Sequence, residues 1–109
     1  MKKTALLLGI GFFSCLARAD EGARLFTTKC QACHAKDGHG NPALKKVYGA
    51  GIDLLDAESQ NKEEAVWLVN IREGAVKGKM PAFKNKLTED QMKAIIAYVR
   101  GMAAAGETK

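Results

Sequence analysis

The sequence predicts an all-α domain, with three main helices joined by long loops wrapped around one bulky apolar group. Three observations lead there. The last part of the chain carries apolar residues at helical spacing behind a capping signal. No stretch alternates apolar and polar residues as a half-buried strand would, and no internal repeat appears. The helices also offer limited apolar surface, while the loop between the first two is longer than a compact domain needs unless it wraps something.

The N-terminal segment comes first. Lys2 and Lys3 precede an apolar run from Ala5 to Phe13, and Ala17-Arg18-Ala19 follows. That order is the layout of a secretory signal peptide cleaved after Ala19, which divides the chain into a leader, 1–19, and a domain, 20–109. The run is too short to span a bilayer. Lipoprotein processing at Cys15 is a second possibility, but Phe12, Phe13 and Ser14 match a lipobox poorly. The expected location is the periplasm.

Removing the leader takes away Lys2, Lys3 and Arg18 and no acid. What remains is 90 residues with 14 basic and 12 acidic side chains, a net charge of +2 against +5 for the whole chain. With no basic stripe interleaved with aromatics, nucleic acid is excluded as a partner. Cys15 leaves with the leader, so Cys30 and Cys33 are the only cysteines of the domain. One close pair is not a disulfide framework.

The first helix is expected from Asp20 to Lys29, where acids lead and Ala23, Leu25 and Phe26 follow. Residues 35–60 are rich in glycine and polar side chains and read as a long loop, with one helical turn near Asp53 to Ala57. Asn61 and Glu64 form a capping-box pattern for a middle helix that presents Ala65, Trp67, Leu68, Val69 and Ile71 and stops at Gly74. Thr88 and Gln91 repeat the pattern for the last helix, with Met92, Ile95, Ile96, Val99 and Met102 in phase and Tyr98 on the flank. The tail from Ala103 is expected to fray.

The chemistry concentrates in Cys30-Gln31-Ala32-Cys33-His34. C-x-x-C-H is the attachment signature for c-type haem. Each thiol adds across one porphyrin vinyl group to give a thioether, and the adjacent His34 is held under the iron as an axial ligand. A zinc site would need a fourth ligand, and only His39 is spare; a thioredoxin-like pair would need a βαβ context that is absent. For the other axial position, Met92 and Met102 lie in phase on an apolar helix face and read as core. Met80 lies instead in the glycine-rich loop GKMPAF, with Pro81 stiffening the backbone after it, 46 residues beyond His34. His39 follows His34 too closely to reach the opposite side and reads as a solvent-facing loop histidine.

These motifs resemble the class I cytochromes c, in particular the small bacterial monohaem carriers and the similar haem domains of bacterial oxidase complexes. The matching residues are CQACH, the loop 35–40, NPAL from Asn41, IREG at the end of the middle helix, MPAF from Met80, and Thr88 to Met102 with Tyr98. The resemblance spans essentially the whole domain and implies the cytochrome c fold around one covalently bound haem. It implies that Gly22 and Phe26 cross the last helix near Tyr98. It implies that the carbonyl of Pro42 accepts a hydrogen bond from His34. Trp67 and Tyr48 are candidates to hydrogen-bond a haem propionate.

A haem ligated by both His34 and Met80 leaves no open position on the iron, so the chemistry that remains is one-electron transfer, not catalysis. The alternative is the haem subunit of a periplasmic oxidoreductase complex, or a small haem enzyme with a displaceable Met80. Lys77, Lys79, Lys84 and Lys86 bracket Met80, and no acid interrupts residues 75–88. This predicts redox partner proteins with an acidic docking surface near the haem edge.

Overall fold

The computed structural model describes residues 19–75 and 79–107. The leader reading, Cys15 included, lies outside the described residues apart from Ala19, and so does Lys77.

The chain is helical. Helix α1 occupies residues 19–29. After it come α2 (Gln31–His34), α3 (Pro42–Tyr48), a 3-10 turn (Ala50–Ile52), α4 (Ala57–Gln60), α5 (Glu64–Glu73) and α6 (Glu89–Glu107). Among the described residues the only β pairing is an isolated antiparallel bridge between Ala75 and Met80.

The expected long loop contains α3. Its local signals are sound: the Asn41 side chain accepts from the Ala43 amide, Pro42 opens the first turn, and Gly49 at φ 90° ends the helix. The helix buries no residue, yet Ala43, Leu44, Val47 and Tyr48 lie at helical spacing, a pattern too short to stand out within the glycine-rich stretch. Next, Asp56 caps α4 by accepting from the Ser59 amide at 2.8 Å, which moves the expected turn a few residues along the chain.

Asn61 does not cap α5. It ends α4 in a helical conformation (φ −77°, ψ −13°), whereas an N-cap needs extended backbone. Glu63 has that geometry (φ −71°, ψ 158°) and is the N-cap, without a side-chain bond. The face of α5 is narrower than expected: Trp67, Leu68 and Ile71 are buried, while Val69 is 46% exposed. The Thr88–Gln91 box forms as predicted, with the Thr88 amide donating to Gln91 Oε1 and the Gln91 amide to Thr88 Oγ1. Helix α6 continues through Glu107, past the point where fraying was expected.

One core joins these elements. Leu25 and Phe26 of α1 pack with Trp67, Leu68 and Ile71 of α5 and with Met92, Ile95, Ile96 and Val99 of α6; Phe83 and Leu87 close it from the intervening loop. Helices α1 and α6 meet at Gly22, where an added Cβ would lie 2.9 Å from the Ala94 carbonyl carbon and 3.2 Å from Tyr98 Cβ. Only glycine allows that approach. The Phe26 and Tyr98 rings meet beside it, tilted 52° with centroids 5.5 Å apart, which is the crossing the family resemblance implies. On the other side of α6, the Arg100 guanidinium lies 4.5 Å from the Trp67 ring centroid and donates to the Gln60 and Lys62 carbonyls. It ties the α4–α5 turn to the last helix.

Candidate haem site

Cys30 is the N-cap of α2, so Cys30, Cys33 and His34 share one helical turn. The His34 amide donates to the Cys30 carbonyl at 3.0 Å, which confirms the i, i+4 relation. Residues three and four apart on a helix sit on one face. This is the structural content of the CxxCH spacing: both thiols and the imidazole line the same cavity. Cys30 and Cys33 form no disulfide. Burial, and secondarily the neighbouring Cys33, push the Cys30 thiol up to about 11.

The cavity has a volume of about 300 Å³. Phe26, Trp67, Ile71, Phe83, Ile95 and Val99 form its apolar wall, and all six belong to the core. Met80 also lines it. The loop carrying Met80 is built on α5. Gly74 at φ 87° ends the helix, and an added Cβ there would lie 2.8 Å from the Met80 carbonyl oxygen, so a side chain at 74 would displace the loop. Met80 and Ala75 exchange two backbone hydrogen bonds of 3.1 Å, and the Phe83 amide donates to the Ile71 carbonyl. Thus the structure brings Cys30, Cys33, His34 and Met80, the last 46 residues beyond His34, to one apolar hollow.

His34 Nδ1 lies 2.8 Å from the Ile52 carbonyl oxygen. A carbonyl only accepts, so the ring hydrogen is on Nδ1 and the Nε2 lone pair is left for a metal. Burial lowers the His34 pKa and keeps the ring neutral, outweighing the opposing effect of the Ile52 bond. The resemblance assigned this acceptor role to Pro42, and the structure corrects it. Pro42 is the exposed first residue of α3. The chain returns through the 3-10 turn, and Ile52 supplies the carbonyl.

Two further expectations are resolved. Trp67 Nε1 donates to the Ser59 carbonyl at 3.1 Å in a buried site, so its N–H is already engaged and is not available to a propionate. Tyr48 does line the cavity, with Lys79 Nζ 5.2 Å from its ring centroid. His39 is an exposed loop residue as expected, and its Nδ1 meets the Asp53 carboxylate at 3.1 and 3.2 Å. Lys29, Lys62 and Asn70 also line the cavity. Sequence reading missed them because a polar residue beside a cofactor has no periodic signal. Among the described residues, no group of three or more His, Cys, Asp or Glu side chains is placed to hold a metal ion.

The donor set fits haem: two thiols and an imidazole on one turn, a thioether opposite them in sequence, and an apolar wall. Comparison with known proteins decides the family. The family model for "Cytochrome c" matches residues 19–103. The chain belongs to the cytochrome c family. The chain is similar to the cytochrome c6 of Leptolyngbya boryana, 36% identical over 93 residues, covering 83% of this chain and 99% of that one. It is similar also to the cytochrome c6 of Parathermosynechococcus lividus, at 35% identity over 78% of this chain and 91% of the relative. That of Porphyra purpurea is 30% identical over 97% and 99%. No solved structure matches the chain. The cofactor of this cytochrome is therefore covalently attached haem c with its iron, with Cys30 and Cys33 present to hold it. As a member of the family it is an electron-transfer protein, not an enzyme.

Proposed function

We propose that this cytochrome is an exported one-electron carrier whose haem iron is held by His34 and Met80. The observation that carries the reading is the shared cavity, on which the histidine after the second thiol and the methionine of the 74–84 loop both abut. Haem supplies an iron that passes between ferric and ferrous states one electron at a time. The chain's own residues supply the rest. Ile52 holds the Nδ1 proton of His34 and so keeps Nε2 as the donor atom. The Met80 sulfur is a soft ligand that favours the ferrous state and raises the potential. The wall of Phe26, Trp67, Ile71 and Phe83 excludes water. An absorption spectrum with redox titration of the purified protein tests the reading. A low-spin, six-coordinate spectrum with a raised potential is expected; a high-spin, five-coordinate spectrum would remove the His34/Met80 assignment.

The relatives named cytochrome c6 support a carrier of this size. Export is proposed on the leader pattern, with the working domain beginning at Asp20 in the periplasm. Mass spectrometry of the mature protein should give an N-terminus at Asp20. A lipid-bearing N-terminus at Cys15 would replace this with a membrane-anchored carrier. No described helix is long and apolar enough to cross a membrane.

Docking is proposed to use the lysines around the Met80 loop. Lys79, Lys84 and Lys86 are exposed. Lys84 Nζ lies 3.6 Å from Glu73 Oε1, which offsets part of its charge. The mature net charge is only +2, so this local cluster dominates the field that an acidic partner meets. Attraction of this kind acts on the association rate and is screened by salt. Lys84→Glu with Lys86→Glu changes two side chains that do not line the cavity. In stopped flow, oxidation of this variant by anionic ferricyanide should slow roughly tenfold at low ionic strength, with a flatter salt dependence and an unchanged spectrum. Equal rates at low salt would leave these lysines as ordinary solvated charge.

A further inference from the structure

We infer that Asp53 is a positioning residue for His34, clamping the Ile52 carbonyl that holds the Nδ1 proton. The inference rests on the proposed ligation by His34. Ile52 has no ring to restrain φ, and its own amide reaches the Gly49 carbonyl only at 3.4 Å. The Asp53 amide, in the same peptide plane as the acceptor, donates to the Ala50 carbonyl at 3.0 Å. The Asp53 side chain and carbonyl then fix that peptide from outside the turn. The Asp53 side chain is largely buried, at 13% exposure, and its carboxylate accepts from the Leu55 amide at 3.0 Å and from His39 Nδ1 at 3.1 Å. Lys45 Nζ of α3 approaches it at 3.5 Å, and its carbonyl accepts from Ser59 Oγ of α4 at 2.8 Å. One residue thus joins the 36–41 loop, α3 and α4 immediately beside Ile52. The adjacent Leu54 amide adds a bond to the Gly38 carbonyl at 2.9 Å.

Burial alone would raise the Asp53 pKa, but the Leu55 amide, His39 and Lys45 more than reverse this, so the net direction is downward. The carboxylate stays ionised, and the clamp stays closed, across neutral pH. The consequence for the metal follows from hydrogen-bond chemistry. A short bond from Nδ1–H gives the ring more imidazolate character, strengthens donation from Nε2 and favours ferric iron. Loosening the clamp should therefore raise the reduction potential.

Charge alone would also raise the potential when Asp53 is neutralised, so the deciding readout is the proton itself. In the haem-loaded, reduced protein, exchange of the His34 ring N–H with solvent can be followed by NMR. Asp53→Ala should speed this exchange about three- to tenfold, the worth of roughly one net hydrogen bond, together with a raised potential. Asp53→Asn keeps the shape but loses the charge, and should give a smaller change in the same sense; it carries the test should the alanine variant not fold. A raised potential with wild-type exchange in the folded variants would reduce Asp53 to a nearby charge and overturn the proposal. A wild-type protein lacking low-spin His34 ligation would instead remove the reading beneath it.

Discussion

Cys30→Ala combined with Cys33→Ala is expected to yield a chain that carries no covalent haem and has no stable fold. The first half follows from chemistry, since no other cysteine remains in the described chain to form a thioether. The second follows from where the cavity lies. Phe26, Trp67, Ile71, Phe83, Ile95 and Val99 are at once the cavity wall and the centre of the core. Without the cofactor, each of these side chains keeps packing on one side and loses it on the other. The cavity, of about 300 Å³, opens to solvent, so water would refill part of it and the cost would lie below the ~7 kcal/mol that a sealed void of that size would carry at ~24 cal/mol per Å³. A domain of this size has a total stability on the order of 5–15 kcal/mol, and here much of the chain between residues 35 and 60 buries little of its own: α3 contributes no buried residue. Circular dichroism of the double variant should show most helical signal lost at 25 °C, and a denaturing gel should show no haem on the chain. A folded, helical apoprotein would contradict the argument.

Met80→Ala and Met92→Ala should part company. Both side chains are apolar and both touch the core, yet their settings differ. Met92 is 3% exposed on the inner face of α6 and packs among Leu25, Ile95 and Ile96 within the core cluster. Truncating it should cost on the order of 2–5 kcal/mol, read from denaturant unfolding, with the absorption spectrum unchanged. Met80 is only partly buried, is held by the bridge to Ala75 and lines the cavity. Its loss should cost less stability but, on the proposed ligation, would leave the haem iron without its second protein ligand. Carbon monoxide should then bind the reduced protein, and the reduction potential should fall. If Met92→Ala admitted carbon monoxide and Met80→Ala did not, the axial assignment would be wrong.

Much of this was legible in the chain because its causes are local. Two thioethers to neighbouring vinyl groups and an axial imidazole all need one helical turn, so CxxCH is compulsory spacing and can be read without a structure. The Thr88–Gln91 box is equally local: each side chain satisfies an amide three residues away. The inner face of α6 repeats its apolar residues through Met92, Ile95, Ile96 and Val99, all of them buried. The failures are local signals that compete. Asn61 followed by Glu64 looks like a capping box, but α4 claims Asn61 first, and its helical backbone cannot start a second helix. Helix α3 has good caps, and Ala43, Leu44, Val47 and Tyr48 at helical spacing, but it spans only seven residues and buries none of them, so its short signal is lost among the surrounding glycines.

By itself, then, the sequence determined the family, the all-helical class and the shared helical turn of Cys30, Cys33 and His34, since each of these depends on spacing over a few residues. Only the tertiary structure decided which carbonyl meets His34. Pro42 is eight residues away and Ile52 eighteen, and the helix started by Pro42 turns that proline outward while the 3-10 turn brings Ile52 back. The same closure gave the Trp67 N–H to Ser59 and placed Asp53 among His39, Lys45 and Leu55. Such contacts depend on how a loop returns on itself. That path is set by packing against elements distant in sequence, and no local pattern encodes it.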